Sequence, residues 1–219
     1  GSVLDTADAD NEVEALTLRI DAGVGVGLLG GMANSIETAV DTLSVIVRGS
    51  AGINILEDDA LTVGDTAAIT VQTVGTDAGL TENVEQTQSD VVTTGENGAD
   101  GSIVIRTEAG DLTLTEGTAQ IDADTDAAVV AHGEGNILLS AEGAGTDLIA
   151  EANADIASTT GHITLLAAQT IDLSADVDVS TTGSGTLDLD AGTGDLTMAA
   201  DATLNTVDGD IRLRVSDAT

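Results

Sequence analysis

One short phrase recurs through the second half of the chain: a glycine, a polar residue, then apolar–x–apolar. It reads Gly110-Asp111-Leu112-Thr113-Leu114, Gly135-Asn136-Ile137-Leu138-Leu139 and Gly161-His162-Ile163-Thr164-Leu165. It continues as Gly185-Thr186-Leu187-Asp188-Leu189 and Gly209-Asp210-Ile211-Arg212-Leu213. The phrase thus returns at intervals of about 25 residues, a period that marks a repeat architecture. In such a fold each unit buries its apolar side only by stacking on its neighbours. Leu112, Ile137, Ile163, Leu187 and Ile211 form one column; Leu114, Leu139, Leu165, Leu189 and Leu213 form another. The column between them (Thr113, Leu138, Thr164, Asp188, Arg212) shares no chemistry. Alternation with period two is a β-strand with one constant, buried face and one free face.

Each period holds further short strands. Between Gly161 and Gly185 they are Ile163–Leu165, Ile171–Leu173 and Val177–Val179; in the next period they are Leu187–Leu189, Leu196–Met198 and a weaker one at Leu204. About three short strands per coil of roughly 24–26 residues predict an all-β fold, a parallel β-solenoid whose coils stack at roughly 4.8 Å. The whole chain then makes roughly nine coils, a rod on the order of 40 Å long. In the first half, Leu16–Ile20, Leu43–Val47, Ile53–Ile55, Leu61–Val63 and Ile69–Val71 read as coil strands, and the stretch Asn34 to Leu43 as a short helix. The solenoid is expected to be a single segment over residues 1–219. The polar stretch Gly75 to Gly101 reads as a loop or flap, with a domain boundary there as the alternative. The repeated glycines are expected at corners that need positive φ.

Composition agrees with a thin, regular interior. Hydrophobic residues make up 42% of the chain, yet Phe, Tyr, Trp, Pro and Cys are all absent. Ordinary cores rely on aromatic rings for buried area, whereas slots of constant size are filled by Ile, Leu, Val and Ala. Five arginines and no lysine stand against 39 acidic residues, a net charge of −34. That charge repels phosphate backbones and anionic membrane surfaces, so neither nucleic acid nor a membrane is expected as a partner. The weakly polar run Gly23 to Ala33 is about half a bilayer span, and no signal peptide is seen. Gly1-Ser2 reads as a cloning remnant, and the last repeat, begun at Gly209, leaves its coil unfinished; the chain is therefore expected to be part of something longer.

The recurring phrase resembles the filamentous-haemagglutinin-type repeats of giant bacterial surface adhesins and exoproteins. The stretch Ala33-Asn34-Ser35-Ile36-Glu37-Thr38-Ala39-Val40-Asp41-Thr42-Leu43, followed by Gly52-Ile53-Asn54-Ile55-Leu56-Glu57, is similar to blocks that recur in such proteins. The resemblance implies a right-handed parallel β-helix, secretion, display at the cell surface and a role in adhesion or as a stalk. It implies no catalytic residues. Partners expected on this basis are neighbouring coils of the same longer protein and components of the cell surface or the extracellular space.

No residue qualifies as catalytic. The pairs Asp176/Asp178 and Asp188/Asp190 have i, i+2 spacing, roughly 6.5–7 Å in a strand, within the range of glycosidase carboxylates. However, no aromatic ring is present to stack a sugar. His132 and His162, the two histidines, belong to no nucleophile or metalloprotease motif and read as corner residues. An ice-binding ladder fails, because only Thr113 and Thr115 form a Thr-x-Thr pair. No metal or cofactor is assigned, and calcium stays open. Asp122, Asp124 and Asp126 start like a calcium loop, but Ala127 and Gly133 stand where Gly and Glu are required. Ad hoc corner sets, Asp8/Asp10/Asn11 or Asp188/Asp190/Asp195, remain open as oxygen sites for calcium, and the alternative to a plain scaffold is a binding module with a calcium or ligand site under the flap Gly75 to Gly101.

Overall fold

The computed structural model describes residues 1–5, 10–95, 101–117 and 127–216. Twenty strands form one sheet that wraps into a three-faced parallel β-solenoid. The first face stacks β1 (Ser2–Val3), β3 (Gly25–Val26), β5 (Gly52–Glu57), β10 (Ile103–Thr107), β13 (Ile137–Ala141), β16 (Ile163–Ala167), β19 (Leu187–Ala191) and β22 (Ile211–Val215). The second stacks β6 (Leu61–Val63), β11 (Leu112–Leu114), β14 (Leu148–Ala150), β17 (Ile171–Leu173) and β20 (Leu196–Met198). The third stacks β9 (Val91–Thr93), β12 (Ala127–Ala131), β15 (Asp155–Ser158), β18 (Asp178–Thr181) and β21 (Thr203–Thr206). Two long strands, β2 (Val13–Ala22) and β4 (Ile36–Val47), run under the second and third faces without a break, and β4 begins under the first, where Ile36–Thr38 pair with Ile55–Glu57 of β5. Every one of these pairings is parallel.

The register explains the aliphatic columns. Ile53, Ile103, Ile137, Ile163 and Leu187 stand one above another inside the first face, and Ile55, Ile105, Leu139, Leu165 and Leu189 form the row beside them. All ten are buried. Leu61, Leu112, Leu148 and Ile171 line the second face, and Val45, Val91, Val129, Ile156 and Val179 the third. Burying each such side chain contributes about 1.5–3 kcal/mol, so the rows hold the coils together. On the last layer Ile211, Leu213 and Val215 remain 42%, 51% and 49% exposed, because no layer lies above them.

Several expectations are corrected. The phrase at Gly110 does not belong with the other four: Leu112 pairs with Leu148 on the second face, and the true partner of Ile137 in the preceding coil is Ile103. Glycine–polar–apolar–x–apolar marks the start of a strand on either face, so a second-face strand imitated the period. Nor is there a helix over 34–43. Apart from a single 3₁₀ turn at Met32–Asn34, the region is strand β4. Ile36, Thr38 and Val40 face inward, then the parity slips at a corner and Leu43, Val45 and Val47 face inward. That slip leaves Ile36, Val40, Leu43 and Val47 at i, i+4, i+7 and i+11, the spacing of a helical stripe. The coil count also falls, from nine to seven plus the single strand β22. One coil runs from Ile53 all the way to Ile103, whereas later coils run only from Ile137 to Ile163 and from Ile163 to Leu187.

The extra length carries a hairpin. Strands β7 (Ile69–Val74) and β8 (Leu80–Glu85) pair antiparallel and are exposed along their whole length. Ile69–Val71 is thus a strand outside the coil, and within the stretch 75–101 β9 rejoins the solenoid. The hairpin base is clasped by polar groups. Gln88 Nε2 donates to Ile20 O (3.0 Å) and Ser44 Oγ (3.1 Å), and Thr66 and Gln88 exchange backbone hydrogen bonds of 2.7 and 3.0 Å. Arg19 donates to Gln86 O and to Gln88 Oε1. Among the described residues no helix is long and apolar enough to cross a membrane.

Candidate functional site

The polar residue before each strand has a defined task. On the first face the Asn136 N–H donates to Ser102 Oγ (3.0 Å), the His162 N–H to Asn136 Oδ1 (2.8 Å) and the Thr186 N–H to His162 Nδ1 (3.1 Å). On the second, Asp147 N donates to Asp111 Oδ1 and Thr170 N to Asp147 Oδ1; on the third, Asp178 N donates to Asp155 Oδ1. Each side chain satisfies an amide one coil up and so ties neighbouring coils at the corner, at solvent-exposed positions on the first and third faces and part-buried ones on the second. An acceptor is required there, which is narrower than any polar residue, and Asp111 belongs to the second-face set. His162 is a member of this ladder. His132, half-buried, bonds through Nδ1 to the Thr93 carbonyl and through its N–H to Thr93 Oγ1 (3.2 Å).

The paired carboxylates are occupied. Asp188 takes two bonds from Arg212, at 2.7 and 2.6 Å, and Asp190 pairs with Arg214 at 2.6 Å; each arginine stands one coil above its partner. Asp178 accepts from Thr203 Oγ1, and Asp176 sits at a corner with φ of 60°. Thr113 and Thr115 lie on the second face and just past it, with Thr115 Oγ1 bonded to Val63 O. Asp122, Asp124, Asp126 and Asp8 lie outside the described residues. A groove of about 270 Å³, lined by Leu29, Asn54, Val104 and Leu138, borders the buried Arg106, whose Nη1 lies 3.7 Å from Glu142.

Two acidic features stand out that periodicity did not reveal. Glu57 is fully buried at the end of β5 and receives hydrogen bonds from Thr38 Oγ1 (2.6 Å) and Val40 N (2.9 Å). Burial pushes its carboxyl up to about 7 against those bonds, with Asp59 adding a smaller push. The second is a cluster. Asp5, Glu12 and Glu37 place carboxylate oxygens within 4.8 Å of one another. Among the described residues this is the group of three ligating side chains that the fold brings together; the set Asp188/Asp190/Asp195 is not. Glu37 is only 6% exposed, and burial, then Glu12 and Asp5, raise its carboxyl above the usual range.

No protein-family model, curated protein or solved structure matches the chain. Its site must be read from its own geometry. The fold uses polar side chains mainly to tie one coil to the next. The three-carboxylate corner shares that tie, since Glu12 Oε2 accepts from Glu37 N (2.9 Å), but it also brings three like-charged groups together.

Proposed function

We propose that this chain is a structural spacer, or stalk, segment of a large secreted bacterial surface or filamentous protein, contributing to adhesion by holding other parts away from the cell. The observation that carries this reading is the uninterrupted register from Ile53 to Leu187, in which each coil adds one layer to the same aliphatic rows. Length then grows linearly with coil number at roughly 4.8 Å each. The outward column keeps no common chemistry: Asn54 is buried and donates to Leu28 O and Gly31 O, while later coils place Val104, Leu138, Thr164, Asp188 and Arg212 there. A net charge of −34 keeps parallel rods apart and discourages sideways pairing of sheet edges. The resemblance of the repeat phrase to adhesin repeats supports secretion and surface display. The partners on this reading are neighbouring coils of a longer protein and extracellular surfaces.

Deleting residues 162–185 removes one coil and joins Gly161 to Thr186 in an intact phrase. A modular rod folds cooperatively after this deletion and shortens by about 4.8 Å in small-angle scattering. A deletion variant that fails to fold would contradict modularity. Antibodies against the chain should label intact cells that make it; labelling confined to lysed cells would count against surface display.

A further inference from the structure

We propose that Asp5, Glu12 and Glu37 bind a hard divalent cation, calcium foremost, at the corner where the chain passes from β1 to β2 beneath β4. The inference goes beyond the spacer reading and does not depend on it. Glu37 Oε1 accepts a hydrogen bond from Ser35 Oγ (3.1 Å), but its Oε2 is buried and takes none. A buried carboxylate oxygen without a donor is costly, and more so beside two further carboxylates. Among the described residues the ion pairs are Arg48–Asp21, Arg106–Glu142, Arg212–Asp188 and Arg214–Asp190, and none involves Glu12 or Glu37. Arg106 occupies the same outward column as Glu37 but two coils higher, roughly 9.6 Å away, too far for an ion pair.

The corner is also held in place. Glu12 N donates to Glu37 O (3.0 Å), while Glu37 N donates to Glu12 Oε2 (2.9 Å). Oxygens that share one calcium ion at roughly 2.3–2.6 Å lie at most about 5 Å apart, so a 4.8 Å cluster fits around a single ion. Carboxylates without nitrogen or sulfur donors favour calcium over zinc. Magnesium, which demands octahedral geometry and holds its water, should bind more weakly. The bound ion would tie β1, β2 and β4 together at the base of the rod.

The test is calorimetric titration of calcium into the full chain in about 0.15 M salt, where exposed carboxylates are largely screened. The expected result is one saturable site, weakened roughly tenfold or more in both Glu37→Gln and Glu12→Gln and unchanged in the exposed control Asp208→Asn. Glu12 is exposed and a Gln carbonyl can still accept from Glu37 N, so that variant keeps the fold if Glu37→Gln does not. Calcium should raise the melting temperature of the wild type and not of Glu12→Gln. Heats without a saturable site would overturn the proposal, leaving Glu12 and Glu37 sharing a proton. Equal binding by wild type and both variants would overturn it too, as diffuse counter-ion attraction.

Discussion

Gly161 lies so close above the carbonyl oxygen of Gly135 that any side chain at position 161 would collide with it. The same contact joins Gly185 to Gly161 and Gly209 to Gly185. None of these glycines has a positive φ, so the repeat keeps them for proximity between coils rather than for backbone freedom. That corrects the simpler expectation for the most regular feature of the sequence. Gly161→Ala should therefore cost about 1–3 kcal/mol by overpacking against backbone. Gly145→Ala, at φ of 80° with Gln169 Oε1 at 3.4 Å as its nearest neighbour, should lose about 1–2 kcal/mol from conformation alone and leave the stack undisturbed. Urea unfolding monitored by circular dichroism, with crystal or NMR comparison of the coil spacing, separates the two.

The interior rows predict a contrast between chemically identical changes. Leu165 is fully buried with a layer on either side, whereas Leu213 is half exposed on the last layer. Leu165→Ala should destabilise by about 2–5 kcal/mol, and Leu213→Ala by less than about 1 kcal/mol. Equal losses in chemical denaturation would mean that the rows are not the source of stability.

Glu57 gives the fold a pH dependence of definite sign. Its folded value of about 7 lies above the ordinary 4.5. Below about pH 4.5 the group is protonated whether folded or not, and its contribution is neutral. Between pH 4.5 and 7 the unfolded chain releases a proton that the folded chain retains, so stability falls as pH rises, by about 3 kcal/mol in all. In Glu57→Gln the amide can donate to Thr38 Oγ1 while its carbonyl accepts from Val40 N. The variant should gain on the wild type between about pH 5 and pH 8 in urea titrations; parallel curves would refute the assignment.

His162 accepts the Thr186 amide at Nδ1, which selects Nε2 as the protonated nitrogen of the neutral tautomer. Nitrogen-15 NMR of the neutral imidazole should show that tautomer. His162→Asn should be nearly neutral, since Asn136 does the same work one coil below, whereas His162→Leu should lose about 0.5–1.5 kcal/mol with the hydrogen bond to the solvent-exposed amide. Comparable stabilities of the two variants would show that the acceptor is dispensable.

Much of the fold was legible because a parallel stack repeats its inward residues at period two within a strand and at a fixed interval between coils. Ile137, Ile163 and Leu187 announced themselves in this way. The first half was harder, since the insertion within the β5 coil breaks the interval and the parity slip in β4 mimics a helix. The carboxylate corner was not legible at all. Asp5, Glu12 and Glu37 follow no motif, and they meet only because β2 lies directly beneath β4, one full coil earlier in the chain. Glu57 was hidden for a related reason: it occupies the inward row that Thr107 and Ala141 continue, where a carboxylate is the last residue expected.

The central claim is that successive coils are joined by parallel backbone hydrogen bonds in one register. It predicts bonds from Ile137 N to His162 O (2.8 Å), Ile163 N to Thr186 O (2.9 Å) and Leu187 N to Asp210 O (3.0 Å). A long-range HNCO experiment on deuterated protein detects the couplings that such bonds transmit. The account predicts cross-peaks linking the three amides to the carbonyls of His162, Thr186 and Asp210, each one coil onward; cross-peaks to carbonyls one helical turn back, or to antiparallel partners, would contradict it.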